Sequence, residues 1–189
     1  AYTSATIESP ADTYPIKLNK GFSELYELKY VEGFLIIGDS DKKVQSLIWD
    51  QPLEGLVYGD KVWLNAKTKD AGNVQYAVLS GAATVDSLGC LTLEGVGEIL
   101  VVALAEGTAD FNPAISNTEL YNVGKRPLKA VAQSVSRLPG TTNPNFRIVY
   151  ENLAEWDELR LIEDVLDERP FTFCEAAPEA PEGTYPIYI

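Results

Sequence analysis

The chain is predicted to be mainly β, and three observations carry that expectation. Turn signals recur at roughly ten-residue intervals through the first half, among them Pro10, Asn19-Lys20-Gly21, Gly38-Asp39, Gly59-Asp60, Ala71-Gly72-Asn73, Gly81 and Gly89. The runs between them are short, rich in Val, Ile, Leu, Tyr and Thr, and several alternate apolar with polar residues. Hydrophobic residues make up 46% of the 189-residue chain and charged residues 23%, enough apolar material for one large core or two small ones. Evenly spaced short strands with Gly and Asn punctuation predict an antiparallel sandwich or a related all-β domain in the middle of the chain.

Taken in order, Val62-Trp63-Leu64-Asn65-Ala66 turns Val62, Leu64 and Ala66 to one face. Val74 to Leu79 does the same with Val74, Tyr76 and Val78, and Leu91-Thr92-Leu93 sends both leucines inward. The predicted core is Ile48, Leu64, Tyr76, Val78, Leu93, Ile99, Val101 and Ala103. Further on, Leu128 to Gln133, Asn145 to Tyr150, Phe171 to Cys174 and Thr184 to Ile189 read as strands, with a polar loop at Pro139–Pro144 between the first two. One stretch differs. Apolar residues at Leu153, Trp156, Leu159, Ile162, Val165 and Leu166 have near-helical spacing, acids fill the other face, and Pro170 follows. An amphipathic helix is expected over about 154–167, with Trp156 and Leu159 in its buried face. Strand, strand, helix, strand, strand predicts a β-grasp-like unit at the C-terminal end.

Ser9-Pro10-Ala11-Asp12-Thr13-Tyr14-Pro15-Ile16 returns as Ala180-Pro181-Glu182-Gly183-Thr184-Tyr185-Pro186-Ile187, with Pro, Thr, Tyr, Pro and Ile identical at matching places. The chain therefore holds slightly more than one period of a long repeat. The first copy runs on into Gly21–Ile37, and that stretch has no counterpart after the second. Residues 1–37 are accordingly expected to complete a 117–189 unit, in a neighbouring molecule or a neighbouring repeat, through a head-to-tail contact that propagates.

These residues carry a resemblance. Arg137–Phe146 (RLPGTTNPNF) followed by Gly183-Thr184-Tyr185-Pro186-Ile187 resembles the MBG/YDG-type modules repeated in very large bacterial surface proteins. Leu25–Ile36 resembles the tail that closes such a module. Ile48-Trp49, Leu56-Val57-Tyr58-Gly59-Asp60, Gly95–Ala105 and Gly107–Ala114 resemble the bacterial Ig-like repeats that accompany them. Leu138-Pro139 and Asp12 depart from the family pattern, which has an aromatic-Gly pair and a Gly there. The resemblance implies closing strands of a preceding module at 1–38, an Ig-like β-sandwich at 44–115, and an MBG-like module at 117–189 with the helix. In that picture Gly59 and Gly183 take turns with positive φ, Pro144 and Pro186 fix loop or edge geometry, and the tyrosines pack on sheets with their hydroxyls at the rim.

The missing residue types bear on function. There is no His, which removes imidazole bases, Ser-His and Cys-His nucleophile pairs and imidazole metal sites. Cys90 and Cys174 alone cannot build a thiolate zinc site, and they read as unpaired thiols before they read as a disulfide. No Gly-rich phosphate loop is present. Carboxylate pairs about 5 to 9.5 Å apart, as glycoside hydrolysis needs, would arise by chance among 28 acids. No catalytic residues, cofactor or metal ligands are assigned, and the expectation is a protein without enzymatic activity.

The formal charge of −13 argues against nucleic acid as a partner, and the apolar runs fall short of the about 20 residues a membrane helix needs. The absence of Met and of a signal peptide is expected of a processed chain or an internal fragment. The function expected is a structural or adhesive repeat segment of a large bacterial cell-surface or filament-forming protein, extracellular, with neighbouring repeats or copies of itself as partners. A glycan or protein ligand on another cell is a further candidate partner. The alternative is a carbohydrate-binding accessory module, with Tyr58 and Trp63 as the sugar-stacking pair. Calcium is a third option, because Gly38-Asp39-Ser40-Asp41 alternates oxygens like a calcium loop, though it lacks the later Gly and Glu of an EF-hand.

Overall fold

The computed structural model describes residues 1–68 and 72–189. The protein is mainly β, with its strands in several small sheets and almost no helix. It divides into two units, Ala1–Lys125 and Arg126–Ile189.

The first unit opens with β1 (Tyr2–Thr3), β2 (Asp12–Lys17) and β3 (Gly33–Ile37), an antiparallel sheet with β2 in the middle. Tyr2 stands opposite Lys17 on one side of β2, and Tyr14 stands opposite Leu35 on the other. Beyond this sheet, β4 (Leu47–Trp49) pairs with β6 (Ala66–Thr68), and β5 (Lys61–Trp63) pairs with β9 (Cys90–Leu93), whose other edge holds β8 (Ala83–Val85). The longest strand is β10 (Gly97–Ala105), a run of apolar β-formers. One edge of it takes β7 (Val74–Ser80), and the other takes β12 (Glu119–Val123) and then β11 (Ala114–Ile115).

Both sheets contribute to one core. Leu91 and Leu93 of β9 and Ile99 and Val101 of β10 are sealed from solvent, and Leu56, Leu64, Tyr121 and Val123 pack with them. Each such side chain removed from water contributes about 1.5–3 kcal/mol. Of the expected core residues, Leu64, Leu93, Ile99, Val101 and Ala103 are buried, and Tyr76 and Val78 pack against the cluster.

Ile48 departs from this, with 52% of its surface exposed. In β4 it is Leu47 and Trp49 that turn inward. The indole of Trp49 lies 5.8 Å from the ring of Tyr76, and its N–H donates to the Ser116 hydroxyl at 3.1 Å. In a three-residue strand, seating that indole flips Ile48 to the other face. Glu119–Val123, which lies within the stretch 117–189 expected as the last module, forms a strand of the β10 sheet of this unit. The turn expected at Ala71-Gly72-Asn73 begins outside the described residues.

The second unit contains β13 (Lys129–Ala132) and β14 (Ile148–Glu151), paired antiparallel. The sheet-and-helix arrangement expected here is a two-stranded ladder with irregular chain around it. Instead of a helix over 154–167 there are two separate turns. Glu158 N–H donates to Ala154 C=O at 3.2 Å, and a 3₁₀ turn follows at Ile162–Asp164. Leu161 between them is extended, with ψ 139°. An isolated helix this short needs a surface to bury its apolar stripe, yet Leu159 is 92% exposed and Leu161 is also out in solvent. Ala154 and Asp157 are the buried residues, with the Asp157 carboxylate held by Arg160 at 3.0 Å. Of the strands expected at Phe171–Cys174 and Thr184–Ile189, one antiparallel bridge forms, between Phe173 and Tyr188.

Cys90 and Cys174 are free and half-buried. No helix among the described residues is long and apolar enough to cross a membrane.

Candidate functional site

The site is built on the C-terminal segment of the second unit. Phe173 and Tyr188 exchange both backbone hydrogen bonds, at 3.1 and 2.9 Å, and their rings stack with centroids 5.1 Å apart. Phe171 adds a third ring at 6.4 Å from Phe173. Upstream of Tyr188 the segment Pro181–Ile187 lines an open groove of about 750 Å³, facing Ser134–Leu138 and Phe146.

A polar clamp holds the groove's wall. Arg137 donates from Nε to Asn143 Oδ1 at 2.8 Å, and from its guanidinium to the carbonyls of Ala177 at 2.6 Å and Pro178 at 3.2 Å. Asn143 donates in turn to the Ala176 carbonyl at 3.0 Å, and Gly140 N–H bonds Pro178 C=O at 2.9 Å. The loop Pro139–Pro144, which the sequence marks as a polar turn, is thus the tether that positions the chain before the groove. Its Asn-Pro pair is the local signal; its partners 31 to 41 residues away are not visible in local pattern.

The repeat read from sequence recurs as bonds. The Phe173–Tyr188 bridge falls at the positions equivalent to the Tyr2–Lys17 pair of β1 and β2. Tyr185 donates its hydroxyl to Pro181 C=O at 2.9 Å, as Tyr14 does to Pro10 C=O at 3.0 Å. Ala180 N–H bonds Ala177 C=O at 3.0 Å, as Ser9 N–H bonds Thr6 C=O at 3.1 Å. Gly183 does not take the positive φ expected of it, whereas Gly59 does, with φ 88°. An ordinary backbone conformation at this position accounts for Asp12 standing there in the first copy.

The copies differ on one side. In the first, β2 has β3 along its outer edge, and Thr13 and Tyr14 are half-buried. In the second, Thr184 and Tyr185 are exposed. Tyr188 directs its N–H and C=O to Phe173, and residues 184–187 before it lie outside any strand. Among the described residues the backbone N–H and C=O of Gly183, Tyr185 and Ile187 have no hydrogen-bond partner.

The residues proposed for sugar stacking sit in the first unit. Trp63 ends β5 opposite Cys90 and is 59% exposed. Tyr58 is half-buried in a stitched turn, where its N–H donates to Gly124 C=O at 3.0 Å and Gly59 N–H donates to Leu93 C=O at 2.9 Å. In the stretch considered for calcium, Asp39 Oδ1 accepts the Asp41 N–H at 2.9 Å, and Asn112 grips the Asp39 backbone from both sides, accepting its N–H at 2.6 Å and donating to its carbonyl at 2.8 Å. Among the described residues no group of three or more acidic or thiol side chains is gathered as a cation site would need.

Searches against protein-family models, curated proteins and solved structures return no match.

Proposed function

We propose that this chain is a structural segment of a tandem β-repeat array in a large extracellular bacterial protein, of the MBG/YDG and Ig-like kind, acting as a spacer or stalk and not as an enzyme. The observation that carries the reading is the recurrence, at equivalent positions of the two copies, of the same bridge, the same tyrosine–carbonyl bond and the same turn. A repeat unit that ends by rebuilding the opening structure of the next is suited to continuing along an array.

The test is a covalent tandem in which residues 1–171 are repeated two, three and four times before 172–189 closes the chain. Small-angle scattering is expected to show a maximum dimension that rises by a constant step per copy. A maximum dimension that does not increase with copy number overturns the proposal. A second reading, carbohydrate binding, is favoured by the exposure of Trp63. Saturable binding on a glycan array that Trp63→Ala abolishes would support it.

A further inference from the structure

We infer that the Arg137 clamp is a load-bearing fastening, and that the second unit stores a length of chain behind it that is released when a pull opens the clamp. The route of the chain carries the inference. It enters this unit at Arg126, runs along β13 and reaches the clamp at Arg137. Arg137 donates to the carbonyls of Ala177 at 2.6 Å and Pro178 at 3.2 Å, and Gly140 N–H adds a second bond to Pro178 C=O. Asn143 donates to Ala176 C=O beside them. The two sides of the clamp, Arg137 and Ala177, are 40 residues apart in sequence. A pull that arrives at Arg126 and leaves beyond Pro178 therefore passes through these bonds, and the chain between, with β14 and the 3₁₀ turn, stays slack.

Behind the clamp little resists. The buried residues of this unit are Ala154, Asp157 and Ala176, so no large apolar side chain is sealed from water there. The first unit, by contrast, seals Leu91, Leu93, Ile99 and Val101. Once the clamp opens, load reaches the β13–β14 ladder at Lys129 and Glu151, the pair at which the chain enters β13 and leaves β14. A ladder loaded at that end is peeled one pair at a time, each pair facing the load alone. Its mouth is fastened by Arg126, which donates to Asn152 C=O at 2.9 Å and Asn152 Oδ1 at 3.1 Å, and by Asn152, which donates to Pro127 C=O at 2.7 Å. With the clamp closed that mouth carries no load, because β13 connects Arg126 to Arg137 directly. Extended chain spans about 3.3–3.6 Å per residue, so opening and peeling together add roughly 130 Å.

In a stalk, the second unit is then the part that lengthens under load while the first keeps its fold. This inference deepens the proposed function and rests on its premise that the chain serves as a spacer. The length of a tandem at rest and its yielding under load are separate quantities, so either test can fail alone.

The test holds the full chain by tags at its two ends in optical tweezers. A first step of roughly 130 Å is expected, followed at higher load by a longer one of roughly 400 Å as Ala1–Lys125 unravels. At a fixed load the opening rate governs what is seen. Arg137→Ala, which loses the charge-assisted bonds of the clamp, is expected to open at least about tenfold faster, with loss of the first step as its limit. Asn152→Gly tolerates the backbone φ of 74° and loses the side-chain bonds at the hairpin mouth. It is expected to open within about threefold of the parent rate, since those bonds meet the load only after the clamp has gone. Equal acceleration by the two substitutions, or none by Arg137→Ala, overturns the inference. So does an unsubstituted chain that shows no step of roughly 130 Å before the long one, a result that depends on no variant folding.

Discussion

Tyr185 donates its hydroxyl proton to the carbonyl of Pro181, four residues back, and closes the turn that launches the Thr184–Tyr188 segment. Tyr14 and Pro10 make the same bond in the first copy. Both bonds are exposed, so each stabilises its turn modestly against competition from water. Tyr14→Phe and Tyr185→Phe are each expected to lower unfolding free energy by about 0.5–1 kcal/mol, read from urea midpoints. A loss confined to one of the two variants would mean that the turns are alike in geometry and unlike in energy.

The core between β9 and β10 makes a sharper prediction. Leu93 is fully buried in the cluster with Leu91, Ile99 and Val101. Leu93→Ala is expected to cost about 2–5 kcal/mol, through lost transfer energy and the cavity left behind. Ile48→Ala, on the exposed face of β4, is expected to cost about 0.5 kcal/mol or less. A larger loss at Ile48 than at Leu93 would reverse the parity of β4.

What is legible in the sequence follows from how each residue is held. Leu91, Leu93, Ile99, Val101 and Ala103 sit in strands whose neighbours on both sides repeat the alternation, so pattern alone places them. Ile48 sits in a strand of three, and there the choice of face belongs to the indole of Trp49 and its bond to Ser116. The spacing of Leu153 to Leu166 counts apolar residues at helical intervals but carries no information on whether a surface exists to receive them. In the fold Leu159 and Leu161 have none, and the stretch breaks into two turns. The repeat is legible because side chains recur in step, from Pro10 and Pro181 to Ile16 and Ile187. The Phe173–Tyr188 bridge, which repeats the Tyr2–Lys17 pair, is not visible in the side-chain pattern.

Ser116 illustrates a polar group on which a buried strand depends. Its hydroxyl accepts the Ala103 N–H at 2.9 Å and the Trp49 indole N–H at 3.1 Å, and donates to Asn117 C=O at 2.8 Å. Ala103 is wholly buried, so removing the acceptor leaves its N–H without that partner. Ser116→Ala is expected to cost about 1–3 kcal/mol. Trp49→Phe, which leaves the Ala103 bond in place, is expected to shift the Tyr76 environment in aromatic circular dichroism, because the two rings are in contact. A stability loss at Ser116 of less than about 0.5 kcal/mol would show that the connection between β11 and β12 relaxes to satisfy Ala103.

Gly81 joins β7 to β8 at φ 101°, where a Cβ would lie 2.5 Å from the carbonyl oxygen of Glu98 and 2.5 Å from Ile99 Cγ2. Both are in the core strand β10, so relief would require moving its backbone. Gly81→Ala is expected to destabilise by about 1–3 kcal/mol or more. Gly97→Ala, also at positive φ but with nothing within 4 Å, carries the conformational penalty alone and is expected to cost less. Equal losses would assign the whole effect at Gly81 to φ and none to the close approach.

Tyr121 on β12 provides the pH prediction. It is buried in the main core cluster, and that burial, with the negative charge of Glu119 adding to it, pushes its phenol up to about 12. In the unfolded chain the same group ionises near its ordinary value of about 10. The folded state therefore retains a proton that the unfolded state releases between those values. The resulting stabilisation is complete below pH about 10 and is lost as pH rises through about 12. Phenolate absorbance of the folded chain is expected to show a late step, near pH about 12, that belongs to Tyr121. Tyr121→Phe is expected to remove that late step. It should also remove this group's share of the decline in stability over the same interval, measured by urea unfolding at successive pH values. If every phenol of the folded chain ionised together near 10, Tyr121 would be shown to exchange freely with solvent, and its place in the core with Ile99 and Val123 would have to be withdrawn.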